Sequence, residues 1–299
     1  MSHPIPALAY FALVVLVAGT IARAVKYARA PMHLRWELYP VPHEKGRDHG
    51  GSYFEQVDWW THERETSLSH EIAATLEEIL LIRSLWHRNR PQWYASFPFH
   101  MGLYVLIGFV VLLSLEAGPA AWLLDRSPVW PAIETLTAVL GVAGLFAGAL
   151  GAAMLLCRRL FDPTLRSASC FGDYFNLAFA LVVFGSALVS WAGGDPMFLQ
   201  LRDYLAGLLS LSPRAAASLS VATEVAAVSL FMTYLPFTHM THFVAKYFAY
   251  HQIRWDDEPN TGDPATHRRM SANLGRPVGW SAAHIPPGKS WAEAATEVE

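Results

Sequence analysis

FHMGLYVLIGFVVLLSLEA, residues 99–117, is a mainly apolar run with an imidazole, His100, at its head. Its length matches the roughly 20 residues with which an α-helix crosses a hydrocarbon core of about 30 Å. Four more stretches meet the same demand, at about Ile5 to Val25, Val129 to Cys157, Tyr174 to Ala192 and Val221 to Lys246. The 299-residue chain is 53% hydrophobic and 16% charged, with a mean hydropathy of +0.24, too apolar for a soluble domain. The sequence therefore predicts an all-α fold, an integral membrane five-helix bundle.

Flanking charges orient that bundle. MSHPIP, ahead of the first span, carries no Lys or Arg, whereas Arg23, Lys26 and Arg29 mark its far end and Arg158, Arg159 and Arg166 follow the third span. Basic loops stay in the cytoplasm, which predicts an N-terminus outside and a C-terminus inside a bacterial or archaeal cytoplasmic membrane. The first span lacks a basic segment before it and a convincing cleavage site, so it reads as a helix and not a removable signal. The organisation is then a first transmembrane helix (1–26), a cytoplasmic docking loop (27–97), a four-helix region (98–248) and a cytoplasmic tail (249–299). A net charge of −3 speaks against nucleic acid. The two cysteines, Cys157 and Cys170, fall near cytoplasmic helix ends and form no C-x-x-C pair, so no iron–sulfur cluster is expected in this chain.

A loop as long as the one between helices one and two usually has a task. HLRWELYPVPHEKGRDHGGSYFEQVDWW, residues 33–60, mixes Pro, Gly and large aromatic residues. Trp36, Tyr39, Tyr53, Phe54, Trp59 and Trp60 suit a protein interface, the plainer alternative being a connector folded onto the bundle. From Ser67 to His87 the spacing of Ile72, Leu76, Ile79, Leu80 and Arg83 predicts a helix, with Ser69 as its cap and Glu71, Glu77 and Glu78 on the other face. Such a helix can lie at the membrane interface. After Met270 the Pro-, Gly- and Ala-rich tail reads as extended and able to lie along a partner.

Of 13 histidines, only His100, His239 and His242 fall in or at the edge of apolar spans; His3 lies outside, and the others are cytoplasmic by this topology. His100 opens one span and His242 closes another, so in antiparallel helices both imidazoles lie at one depth beneath one membrane face. Two facing imidazoles are the usual axial pair of a b-type cytochrome, although a lone membrane histidine is more often hydrogen-bonded to a neighbouring helix. His239, three residues before His242, would border the same cavity about 60° away around a helix axis. The spans hold few charges for a transport path, and their glycines Gly141, Gly144, Gly148 and Gly151 permit close helix packing or a haem face. No nucleophile-and-base constellation or phosphate-binding glycine loop is present.

LPFTHMTHF at Leu235 to Phe243, RRLFDPTLRSASCFGDYFNLAF at Arg158 to Phe179 and FPFHMGLY at Phe97 to Tyr104 together resemble the gamma-subunit family of respiratory nitrate reductase. RWELYPVPHE and GGSYFEQVDWW look like a branch of it, the membrane subunits that accompany heterodisulfide-reductase-like iron–sulfur proteins, including sulfite-reductase-associated complexes. The resemblance implies a five-helix cytochrome b that exchanges electrons between membrane quinol and a cytoplasmic iron–sulfur subunit. It matches His100 and His242 to the axial pair of the haem nearest the cytoplasm. The second pair of the two-haem members is replaced by Val110 and Glu224, so one haem b is expected; a second, on His239 with a loop histidine such as His70, stays open.

Arg158, Arg159 and Lys246 share that face, either as neutralisers of haem propionates or as topology determinants. In the outer half, Glu224 and Glu134 are the candidate quinone residues, because quinone chemistry there needs a proton acceptor or donor. For Glu224 the alternative is a carboxyl facing the outer aqueous boundary. The direction of electron flow is not fixed by ligand identity, and a haem-free membrane anchor of a redox complex is the alternative function.

Overall fold

A computed structural model describes residues 4–30, 44, 57–63, 65–118, 121, 127–249, 264–281, 285 and 287–296. Among these residues the fold is helical without strands, and five helices are long and apolar enough to cross a membrane. In chain order the helices are α1 (Pro4–Ala28), α2 (Leu68–Leu81), α3 (Arg83–Arg88), α4 (Arg90–Ala117), α5 (Trp130–Phe161) and α6 (Pro163–Ser167). They continue as α7 (Phe171–Ala192), α8 (Leu199–Leu209), α9 (Leu219–Tyr234), α10 (His242–Ala249), α11 (Pro264–Leu274) and α12 (Trp291–Thr296). The spans are α1, α4, α5, α7 and α9 with its terminal turn to Phe237. The chain divides into two units, residues 1–19 with 75–240, and residues 20–74 with 241–299.

The first unit is a helix bundle whose closest pair is α4 on α5. Glycines make that pair possible. A Cβ on Gly151 would collide with the Phe99 amide nitrogen, and one on Gly102 with that of Gly148. Gly148 meets the Phe184 ring of α7 and Gly141 the Phe198 ring, so the glycine face is filled by protein and serves packing, not a haem face. The core adds Phe109, Leu113, Leu145 and Leu177. Outward, α1 leaves Phe11, Val14 and Ile21 more than half exposed, a surface suited to lipid.

Local chemistry explains the helix bounds. Asn89 caps α4 by accepting the Gln92 N–H at 3.1 Å, with Pro91 in the first turn. The α4 helix thus starts at Arg90, well before the apolar run. The single helix expected from Ser67 to His87 is broken at Ile82, which takes a left-handed conformation (φ 51°), and Ser69 lies inside α2 instead of capping it. Glu78 compensates by accepting the Ser84 N–H at 2.9 Å, and Glu77 pairs with Arg83. The fifth span is also shorter than expected. Pro236 ends regular helix in a 3-10 turn, Thr238 is extended, and a second turn, His239–Thr241, precedes α10.

Between α7 and α9 lies α8. Asp195 caps it, accepting the N–H groups of Gln200 and Leu201 at 3.0 and 3.1 Å. Phe198, with φ 53° and 2% exposure, is driven against Phe109 and Gly141. Tyr10 of α1 donates its hydroxyl to the Leu208 carbonyl at 2.8 Å.

In the second unit, Tyr27 meets Phe248 at 6.1 Å and the Arg269 guanidinium donates to the Ala30 carbonyl at 3.1 and 3.2 Å. The tail is folded, contrary to the extended reading. Pro277 bridges Ser290, the Val278 N–H donates to the Lys289 carbonyl at 2.7 Å, and Val278 is buried. Ser290 and Glu293 then cap α12 reciprocally. Of the aromatic loop, Trp59 and Trp60 form a turn in which Trp60 is exposed, while Trp36, Tyr39, Tyr53 and Phe54 lie outside the described residues.

Candidate functional site

His100 stands ten residues into α4, half-buried between Phe99 and Tyr104. Its Nδ1 lies 2.8 Å from the Ser96 carbonyl one turn back, with the Ser96 hydroxyl at 3.2 Å. A carbonyl can only accept, so Nδ1 carries the proton and the ring's lone pair is on Nε2. That is the tautomer and support of an imidazole that binds a metal through Nε2. The residue set at this position fits an axial haem ligand.

His239 and His242 occupy separate elements, not one helix face. The break at Pro236 removes the continuous helix on which their 60° separation rests. In the first unit, His239 sets Nε2 3.4 Å from the Asp173 carboxylate and has the Asn176 amide nitrogen 3.4 Å from its ring nitrogens. Tyr234 donates its hydroxyl to the other end of that buried amide at 2.7 Å. The His239 ring thus lies within reach of Asp173 and Asn176 while its side chain stays 60% exposed. His242 opens α10 in the second unit and is exposed.

Arg158 pairs with Asp162 at 3.1 Å, and Arg159 donates to the Ser169 hydroxyl at 2.7 Å and faces Asp173 at 3.8 Å. Both arginines thus tie the end of α5 to the segment that follows it. Lys246 lies on α10, and among the loop and tail histidines His33, His43, His49, His251 and His284 lie outside the described residues. Among the described residues, no group of three or more His, Cys, Asp or Glu side chains is arranged to hold a metal ion; an axial pair needs only two.

At the opposite end of the first unit, Glu224 is 6% exposed and hydrogen-bonded to Ser190, with Asp195 in electrostatic reach. Glu134, the other candidate, is bound by the Arg202 guanidinium at 2.6 Å; Arg202 also reaches Glu116 at 3.4 Å, and Thr137 donates its hydroxyl to Glu116. Burial alone would lower the Arg202 guanidinium, but Glu134 and Glu116 outweigh it and hold the group above its usual value.

The family described as nitrate reductase gamma subunit matches residues 84–255. The chain belongs to that family. No curated protein matches it. Gamma subunits are membrane cytochrome b subunits of quinone-linked electron-transfer complexes, so this chain is a multi-pass membrane subunit of that class. The gamma-family match opens just before α4 and takes in His100, His239, His242, Glu134 and Glu224. Within this gamma-type bundle, Val110 points outward at 53% exposure.

Sequence reasoning passed over Ser96, Asp173, Asn176 and Arg202. For Ser96 a signal existed, its place four residues before His100 on one helix. Arg202 gave none, since its helix is not one of the apolar spans.

Proposed function

We propose that this gamma-family chain is a haem b protein that carries electrons between the membrane quinone pool and a cytoplasmic iron–sulfur subunit of the heterodisulfide-reductase-like type, in a bacterial or archaeal cytoplasmic membrane. The observation that carries the reading is His100, an imidazole inside an apolar span with Nδ1 bound to the Ser96 carbonyl. Histidines within membrane helices are functional by default, and this half-buried one gives its Nδ1 to a carbonyl, which leaves Nε2 as the nitrogen that would bind a metal. His242 is its partner in this reading, a pairing that rests on sequence spacing and the family resemblance.

Bound haem b supplies a one-electron iron couple. His100 holds it through Nε2, while Asp173 and Asn176 keep His239 as a neighbour and not a ligand. Arg158 and Arg159 offer positive charge for propionates. Glu224, shielded and hydrogen-bonded to Ser190, is the group that exchanges a quinol proton; Glu134, held by Arg202, is structural. The exposed Trp60 turn supplies apolar surface for the iron–sulfur partner.

The test is the absorption spectrum and haemochrome assay of the purified full-length protein. One haem b per chain is expected, lost in His100→Ala and in His242→Ala and kept in His239→Ala. A colourless wild-type protein would favour the haem-free anchor.

A further inference from the structure

We propose that the elbow between α2 and α3 is an anionic-phospholipid site, with the last turns of α2 laid among acyl chains and Arg88 and Arg90 holding the lipid phosphate. The partner is the bilayer itself, in the leaflet at the His100 end of α4.

Residues 75–81 of α2 fall in the first unit together with α4, and two side chains of α4 tie them down. Tyr104 donates its hydroxyl to the Ile79 carbonyl at 2.8 Å, and Trp93 donates its indole N–H to the Leu81 carbonyl at 2.7 Å. Both acceptors are among the last four carbonyls of α2, the ones a helix leaves without a partner of its own. Water would satisfy such groups unaided, whereas lipid cannot, so donors supplied by a membrane-spanning helix mark this helix end as lying below the aqueous surface. The depth agrees. Tyr104 stands five residues past Phe99, where the apolar run opens, roughly 7 Å along the helix at about 1.5 Å per residue.

At that level exposed apolar side chains meet hydrocarbon. Leu76, Ile79, Leu80 and Leu81 are 42–52% exposed, an apolar surface continuous in depth with the span beside it. A soluble subunit would have to enter the leaflet to cover them, so acyl chains are the occupant.

Past the left-handed turn at Ile82 the chain becomes basic. Glu77 pairs with Arg83, Glu78 accepts the Ser84 N–H, and no further Asp or Glu follows until Glu116. Arg88 and Arg90 are exposed and, among the described residues, pair with no carboxylate. The Arg90 guanidinium lies 4.7 Å from the centre of the Trp86 ring, which meets Trp93 edge-on, and Trp93 stacks on Phe97 at 4.4 Å. Trp and Tyr gather where a bilayer meets water, so a guanidinium resting on this cluster stands at the level of the lipid phosphates. Guanidinium groups match phosphate oxygens in geometry as well as charge. A lipid with net negative charge is preferred over one whose choline already neutralises its phosphate.

The experiment uses the full-length protein in phosphatidylcholine bilayers, with spin-labelled phosphatidylglycerol or phosphatidylcholine as the probe. Wild type should retain the phosphatidylglycerol label more strongly, and Arg88→Gln and Arg90→Gln should each reduce that preference about fivefold. A second reading places a nitroxide at Leu80→Cys in a chain carrying Cys157→Ser and Cys170→Ser. Dissolved oxygen should relax it more than a water-soluble nickel chelate does, as for a nitroxide at Val110→Cys on the outward surface of α4.

Three results would overturn the inference. The first is a Leu80 label reached more readily by the nickel chelate than by oxygen, which would leave that face to a soluble partner. The others are a wild type that retains both lipid labels equally and a double arginine variant that keeps the preference.

Discussion

Glu116 places a carboxylate inside α4 with its side chain only 4% exposed, and Arg202 makes that tolerable. Taking Arg202 away would strand a charge where water cannot compensate. Arg202→Met should therefore destabilise the protein by roughly 3–5 kcal/mol, and adding Glu116→Gln should recover much of the loss; chemical unfolding of the two variants is the check. The network also shows where reading the chain reaches its limit. His100 announces itself, because an imidazole in an apolar run is conspicuous. Arg202 does not, since its partners are 86 and 68 residues away and no local spacing links them. His239 was visible as an unusual membrane-edge histidine, yet only folding brings Asp173 and Asn176 to it.

Among the elements, the α4–α5 seam is the least forgiving. Gly151→Ala would drive a methyl into the Phe99 backbone, a contact no side-chain rotation relieves, so the helices must part. The expected result is a Tm several degrees lower together with reduced haem content after purification. A milder dependence belongs to the α12 cap, where hydrogen bonds from Ser290 hold the exposed Glu293 carboxyl below its usual value. A lowered acid contributes stability above its unfolded pKa and loses it as pH falls through the folded one. Ser290→Ala should therefore loosen the tail hairpin at neutral pH and make little difference in acid, as followed by amide exchange near Trp291. The spans were legible because length and apolarity are local properties. The breaks at Ile82 and Pro236 were less so: a left-handed isoleucine has no sequence signature, and Pro236 sits within a run still apolar enough to pass for helix.

For the whole molecule, sidedness is the property on which partner choice depends. Cys157 and Cys170 are both exposed, at the end of α5 and just before α7. With the N-terminus outside, both thiols face the cytoplasm. A membrane-impermeant maleimide should then label inverted vesicles and leave intact cells unlabelled; the reverse pattern would invert the topology. The division into two units also bears on assembly, since His100 and Glu224 belong to one and the Trp60 turn and folded tail to the other. The seam at Gly151 has a last consequence. Phe99, whose main chain is pinned there, is the immediate neighbour of His100, so the haem proposed for that imidazole would have a stiff mount. Gaining or losing an electron would disturb few surrounding atoms, and a relay with low reorganisation cost can turn over rapidly on a small driving force.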